Sequence, residues 1–437
     1  MNHIAAVGRV LVARGVGAIA AFISVTFAAR LIIEHAGPSA YGAVSLVATL
    51  VALVPFADLG IGAAVVNASS DVQHGVARTG ARAELAAAVR LLLIVGAVVG
   101  CVSLLIGLFG AWPQILGPGA EGVAWIGIGT TLVGVLFGLG LPAYMATRLL
   151  QGWQAVALIA LIGIAAPVLS LTITALLVTL GSPPGLLAIP PAIGALMASL
   201  LLWIPAVRRY PGSLMRDLVR TPTQWSDYGA VLRLGATSLA VSIGLALMLQ
   251  SQRITLSHFS TPEELAQYAL LAPLLFGIQS LITPAGQYLW PRYRQLMHKG
   301  EMTRATLARD IALFAVIGLI GAVAFVLAGP PVIHFMAGGT VSASWELYAI
   351  GAALILLQSL QTPPAMTLMD RSGLRIQAFI IMPVALASIS LGVLFAPSLG
   401  AAGVLISVTA MVLVVQIPLT LASAIRAIRR SALTVRA

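Results

Sequence analysis

Residues 27–66 read FAARLIIEHAGPSAYGAVSLVATLVALVPFADLGIGAAVV. The first half is an apolar run interrupted only by Arg30 and Glu34, and a Gly-Pro turn ends it at Gly37 and Pro38. A second apolar run follows and carries one acid, Asp58. Two apolar segments of about 20 residues joined by a tight turn form a helical hairpin that crosses a bilayer twice. Charges inside such segments are expensive, so their presence asks for an explanation.

The rest of the chain repeats the pattern. Of 437 residues, 59% are hydrophobic and only 8% charged, with mean hydropathy +1.03. Soluble domains carry about 25% charged residues and roughly 45–50% apolar ones. No water-soluble core absorbs this much apolar surface, and the fold class is an all-α polytopic membrane protein. Spans are expected near 10–33, 41–66, 88–111, 122–147, 154–180, 186–206, 234–257, 265–290, 308–328, 343–367, 376–396 and 400–424. Gly and Pro punctuate many hairpins, as in HAGPSAY, LGPGAEG, LGSPPG and APSLG. Arg9 and Arg14 precede the first apolar stretch as in a signal peptide, but spans recur to the end, so an uncleaved first helix is expected. The lone Cys101, in an apolar run, is expected to pack rather than to form a disulfide.

Twelve spans place both termini on one side of the membrane. Of the 24 lysines and arginines, all except Arg30 and Arg253 fall on that side or on the helix ends beside it. The opposite hairpins carry Glu34, Glu121, Glu263, Glu264 and Glu346 instead. By the positive-inside rule both termini are cytoplasmic, in a multi-pass protein of a bacterial inner membrane. The sequence pI of 10.8 therefore calls for no nucleic acid.

The longest polar stretch divides the helices six and six: an N-terminal lobe over 1–206, a cytoplasmic connection over 207–232, and a C-terminal lobe over 233–437 with a basic tail. PAYMATRLLQGWQ after helix 4 and PPAMTLMDRSGLR after helix 10 share Pro142/Pro363, Met145/Met366 and Gly152/Gly373 at one offset. Arg30 precedes Tyr41 as Arg253 precedes Tyr268. These matches predict two parallel six-helix lobes around a central cavity, an architecture suited to alternating access.

Familiar chemistry is missing. Lys299 is the only lysine and follows no Gly-rich loop, so a phosphate-binding P-loop is excluded. The six histidines are scattered without metal-ligand spacing, and no catalytic constellation is present. The expectation is a transporter that is not an enzyme and holds no metal or cofactor. A proton or sodium gradient is its candidate driving force.

A charge near the bilayer centre costs about 2.5–3.5 kcal/mol on insertion scales, so it faces a cavity or a partner. Arg30 either pairs with Glu34 at i,i+4 spacing and reaches the outer surface, or forms a cationic cavity wall. Arg253, beside Gln250 and Gln252, is expected to line the cavity. Gln279, Gln358 and Gln361, with Gln287, extend that lining or act as interhelical glue. Asp58 either pairs structurally, with Arg14 as the candidate partner, or binds a proton or substrate group. A wall of arginines suits an anionic cargo such as phosphate on a lipid carrier. GAVVG over 96–100 and GVLFG over 134–138 are small-xxx-small helix contacts.

RLIIEHAGPSAYG, ADLGIGAAVV, LLQGW and DRSGLR together resemble the polysaccharide-transporter (Wzx-like) branch of the multidrug/oligosaccharidyl-lipid/polysaccharide flippases. The resemblance covers the whole chain in helix count and order. It implies a flippase that moves an undecaprenyl-diphosphate-linked oligosaccharide from the cytoplasmic to the periplasmic leaflet for O-antigen (lipopolysaccharide) or exopolysaccharide synthesis. A polysaccharide polymerase and chain-length machinery are the implied partners. By position, Arg30 and Arg253 would face the diphosphate-sugar head group. Ser251 and Gln252 stand where family members often carry an acid before the basic residue of helix 7, which argues against ion coupling there. Twelve spans rather than fourteen argue against a lipid II flippase. The alternatives are a multidrug/cation antiporter of the same superfamily and, less well supported, a membrane-embedded glycosyltransferase or polysaccharide polymerase. The antiporter needs embedded acids, and Asp58 is the only deep one.

Overall fold

A computed structural model describes residues 3–52, 61–73 and 80–434. These residues are almost entirely helical and contain no strand. Nine helical stretches among them are long and apolar enough to cross a membrane. One of these, Ser372–Ser431, is 60 residues long and has room for two crossings. The helix Trp345–Met366 and the pair Pro38–Ala52 and Ile61–Gln73 complete a layout compatible with twelve. Asp58 lies outside the described residues.

The chain forms two compact units, Met1–Leu239 and Ala240–Ala437. The boundary falls inside a helix and not in the 207–232 connection.

In the first unit, α1 (His3–Ala36) ends as the quoted hairpin requires. Gly37 adopts φ 85° and donates its N–H to the Ile33 carbonyl at 2.8 Å. This left-handed cap is open to glycine without penalty, and Pro38 then starts α2 (Pro38–Ala52) with its φ already helical. The helices α3 (Ile61–Gln73), α4 (Ala81–Leu108), the short α5 (Trp112–Leu116) and α6 (Ile126–Ala143) follow. Gly96 and Gly138 meet backbone to backbone: a Cβ on Gly138 would lie 2.4 Å from the Gly96 carbonyl oxygen. The expected GAVVG and GVLFG contact thus joins α4 to α6.

Pro142 cannot donate to the helix behind it, and α6 breaks at Tyr144 before α7 (Met145–Gly152). Trp203 Nε1 donates to the Ala143 carbonyl at this break, at 3.0 Å. The span expected over 154–180 is likewise divided into α8 (Val156–Gly163) and α9 (Ala165–Thr179), because Pro167 cannot donate to Gly163. The unit continues with α10 (Ile189–Arg209) and α11 (Leu214–Arg220).

The 207–232 connection differs from the polar link expected. It contains α11, whose first turn is capped by Ser213, and α12 (Trp225–Phe259) begins within it. Leu214 and Leu218 are buried in a core shared with Leu85, Leu149, Trp153 and Tyr210. Three apolar positions at helical spacing were enough to fold a stretch otherwise rich in arginine.

Cys101 also departs from expectation. It lies exposed on α4 beside Val98, Val102 and Leu105, which are exposed as well. Lipid tails are as apolar as leucine, so an apolar run on a membrane helix does not distinguish the packed face from the lipid face.

In the second unit, α12 continues and is followed by α13 (Pro262–His298), α14 (Arg304–Met336), α15 (Trp345–Met366), α16 (Arg371–Met411), a π-helical turn (Val412–Gln416) and α17 (Ile417–Thr434). Pro363 and Pro364 end α15 as Pro142 ends α6. The expected APSLG hairpin is reduced to a kink at Gly400, φ 55° and ψ −135°. Glu264 accepts the Ala401 N–H at 2.7 Å, so its carboxylate caps the helix that restarts there. A Cβ on Gly400 would lie 2.2 Å from that carboxylate.

Each unit has two chemically different ends. In the first, His35 Nε2 sits 2.9 Å from the Ser182 carbonyl, and the Gly185 N–H donates to Ala124 at 2.9 Å, so three arginine-free hairpins meet. At the other end Arg90 donates to the Val219 and Thr221 carbonyls at 3.1 and 2.9 Å and to the Thr223 hydroxyl. The arginine-bearing segments are therefore neighbours in space as well as in charge.

Candidate functional site

Arg30 sits near the end of α1, one turn from Glu34. Its Nε donates to Glu34 Oε1 at 2.7 Å, and the two side chains are 38% and 51% exposed. The i,i+4 register makes this contact, and a carboxylate on Nε fixes the direction of the planar guanidinium. The pair expected from the sequence is present. The first turn of the following hairpin buries Tyr41 to 5% exposure.

In the second unit Arg253 is half-buried on α12, and Tyr268 of α13 is buried, as Tyr41 is in the first. Gln250 is half-buried, whereas Gln252 is 3% exposed and turns its amide back to the Met248 carbonyl. Gln252 therefore faces packed protein rather than an open wall. Gln279 and Gln358 are half-buried on α13 and α15, which pack together, and Gln361 is buried. The side chain of Gln287 lies outside the described residues, as does Asp58.

In Gln250, Gln252, Gln358 and Gln361 one buried amide atom has no hydrogen-bond partner among the described residues. Leaving such an atom unsatisfied costs about 1–3 kcal/mol. Four instances in one unit make the described interior of that unit unusually polar for a membrane-spanning bundle.

Sequence reading missed two features. Gln416 is 1% exposed with its amide oxygen unpartnered, in the π-helical turn packed on α15. Pro418 cannot donate to Val414, and the extra residue in the turn follows; a lone glutamine two residues before a proline was the available signal. The second feature is a gripped carboxylate in each unit. The Tyr210 hydroxyl donates to Asp217 Oδ2 at 2.8 Å, with Arg82 Nε 3.4 Å from the same oxygen. The Tyr293 hydroxyl donates to Asp310 Oδ2 at 2.7 Å, with Arg292 Nη1 at 3.5 Å. Burial, then the carboxylate hydrogen bond, pushes both phenols well above the usual tyrosine range. Among the described residues no group of His, Cys, Asp and Glu is placed to hold a metal ion.

The arrangement of helices is that of known membrane transporters. An inward-facing multidrug resistance MATE transporter of the MOP superfamily matches with TM-score 0.64 and 15% identity, over 95% of this chain and 94% of that one. The lipid II flippase MurJ in an inward closed conformation matches with TM-score 0.61 and 13% identity, over 97% and 90%. A MOP superfamily transporter from Pyrococcus furiosus, described as having a binding pocket of reversed polarity, matches with TM-score 0.57 and 16% identity, over 99% and 95%. No curated protein sequence matches the chain. The fold is thus that of a multi-pass MOP superfamily transporter.

Within that class, residues 5–297 match the family model for polysaccharide biosynthesis protein, and the chain belongs to that family. Its fold is the one shared by the MOP superfamily structures above, as the resemblance in the opening hairpin implied.

Proposed function

We propose that the protein carries an undecaprenyl-diphosphate-linked oligosaccharide from the cytoplasmic to the periplasmic leaflet of a bacterial inner membrane, for O-antigen or exopolysaccharide assembly. The observation that supports this most is the charge type. In a polysaccharide biosynthesis family member, the intramembrane cations are arginines, and Arg30 is held in orientation by Glu34. Guanidinium grips phosphate in a bidentate fork and keeps its charge at any physiological pH. Arg30 and Arg253 hold the diphosphate, one from each lobe, and Gln250, Gln279, Gln358 and Gln361 meet the sugar hydroxyls, while Gln252, turned into packed protein, does not. Each charge-assisted contact contributes about 1.5–3 kcal/mol, which offsets part of the head group's desolvation yet permits release. The lobes open the path alternately to either side, with the arginine-rich ends and both termini in the cytoplasm. No cofactor is needed, and a proton or sodium gradient supplies the drive. A polysaccharide polymerase with its chain-length machinery receives the product.

Likeness to multidrug transporters supports the second reading, a drug or cation antiporter. Purified protein in liposomes separates the two. The expected result is protein-dependent exposure of a fluorescent undecaprenyl-diphosphate oligosaccharide in the opposite leaflet, with no ion-driven uptake of ethidium. Ethidium uptake without lipid movement would transfer the assignment to the antiporter.

A further inference from the structure

A cavity of about 810 Å³ opens at the arginine-rich end of the second unit, formed by that unit alone. The end of α13, the turn over 366–370, the start of α16 and the end of α17 build its walls. Three arginines line it: Arg294 from α13, and Arg426 and Arg430, one helical turn apart on α17. Arg429, between them in sequence, does not line it. The one carboxylate in the wall, Asp370, is already engaged. Its Oδ1 accepts the Gly373 N–H at 2.9 Å and its Oδ2 accepts the Ser372 hydroxyl at 2.5 Å, which caps α16. The Tyr293 hydroxyl in the same wall is spent on Asp310. Three arginines against one carboxylate leave the cavity net cationic, and the N-terminus of α16 adds to its positive potential.

The lining also includes the apolar Met297, Met366 and Ile376. On α13, Trp290, which lines the cavity too, and the neighbouring Tyr288 are 40% and 66% exposed, the kind of aromatic side chain enriched at a membrane interface. A cluster of guanidiniums with apolar walls and aromatic neighbours, at the arginine-rich ends of the helices, matches a phosphate that carries acyl chains better than a phosphate in solution. The volume far exceeds one phosphate and accommodates a glycerophosphate head group. We infer that this cavity binds the phosphate head group of an anionic phospholipid in the leaflet at the arginine-rich end, whichever cargo is carried. Basic clefts between membrane helices recognise anionic head groups in this way.

The test is native mass spectrometry of the full chain released from nanodiscs of phosphatidylcholine with increasing phosphatidylglycerol. The wild-type protein is expected to retain one phosphatidylglycerol about tenfold or more in preference to phosphatidylcholine. Arg426→Gln with Arg430→Gln is expected to lose that preference, Arg→Lys at both positions to keep part of it, and Arg208→Gln with Arg209→Gln, in the first unit, to keep all of it. Thermal melting of each variant in detergent shows whether it is folded; if the double variant is not, Arg294→Gln replaces it. Absence of lipid preference in the wild type, or wild-type retention in the folded variants, would overturn the inference. A third contrary result is calorimetric binding of inorganic pyrophosphate in pure phosphatidylcholine nanodiscs as tight as that of the lipid, which would make this a soluble-phosphate site.

Discussion

The two units solve the same packing problem with different chemistry. In the first, α4 and α6 touch through Gly96 and Gly138, with nothing but backbone between them. In the second, α14 and α15 touch through Gly318 and Ser359, where a Cβ on Gly318 would lie 2.6 Å from Ser359 Cβ. These contacts sit at corresponding places, since 138 and 359 are separated by the offset that relates Pro142 to Pro363, and 96 and 318 by one residue more. The close approach is shared; the polarity around it is not. In the described interior of the second unit Gln250, Gln252, Gln358, Gln361 and Gln416 each have one buried amide atom without a hydrogen-bond partner, and no described glutamine of the first unit does. A shared scaffold constrains helix contacts, while each unit is left to vary the polarity of its interior.

The largest contrast expected is one of sidedness. With Cys101 replaced by serine, an impermeant thiol reagent applied to intact cells should label Glu121→Cys and leave Gln224→Cys unlabelled. Labelling of the second from outside would reverse the orientation of both units.

Next in size is the glycine contact. Gly138→Ala drives a Cβ into backbone and is expected to cost about 3 kcal/mol, the upper end for overpacking. Gly318→Ala should cost about 1–3 kcal/mol, and adding Ser359→Gly should restore most of it, because the side chain simply changes helices. No such rescue exists for Gly138→Ala, since Gly96 has nothing to remove. Denaturation in detergent reads all three, and equal behaviour of the two units would break the comparison.

The gripped carboxylates should differ less. Asp310 is 7% exposed and Asp217 is 17%. Asp310→Ala strands the buried Tyr293 hydroxyl and is expected to cost about 1–3 kcal/mol, with Asp217→Ala costing less. Tyr293 and Tyr210 stay neutral in the folded protein beyond the point where an unfolded phenol ionises. Their contribution to stability is complete below about pH 10 and falls as pH rises through the folded values. Tyr228 is the counter-example: the hydrogen bond with Thr223, then Arg90, lowers its phenol. Absorbance titration should show Tyr228 ionising first and the gripped pair last.

The turn that ends α1 was legible because Gly37 and Pro38 act locally: one takes the left-handed cap and the other starts a helix. The Gly96–Gly138 contact and the separation of arginines from acidic hairpins were legible for the same reason, since each rests on residue type at fixed spacing. The breaks near Tyr144 and Ile164 depend on prolines two or three residues away, whose effect on a long apolar run is to bend it rather than end it. The helical part of the 207–232 connection depended on a core supplied by α4 and α7, and the exposure of Cys101 on which face of α4 that core takes. The Arg30–Glu34 pair could be read from its spacing. The burial of Gln252 and the place of Gln416 could not, because each depends on which neighbour a helix turns toward.

The central claim is that Arg30 and Arg253 grip the cargo's diphosphate. The direct measurement is complementation of a flippase-null strain by Arg30→Gln and Arg253→Gln, with membrane abundance measured in the same cells. The account predicts that either variant inserts normally and abolishes polysaccharide export, while Arg→Lys restores only part of it because the bidentate fork is lost. Normal export by both Gln variants at normal abundance would contradict it and leave the two arginines as surface anchors.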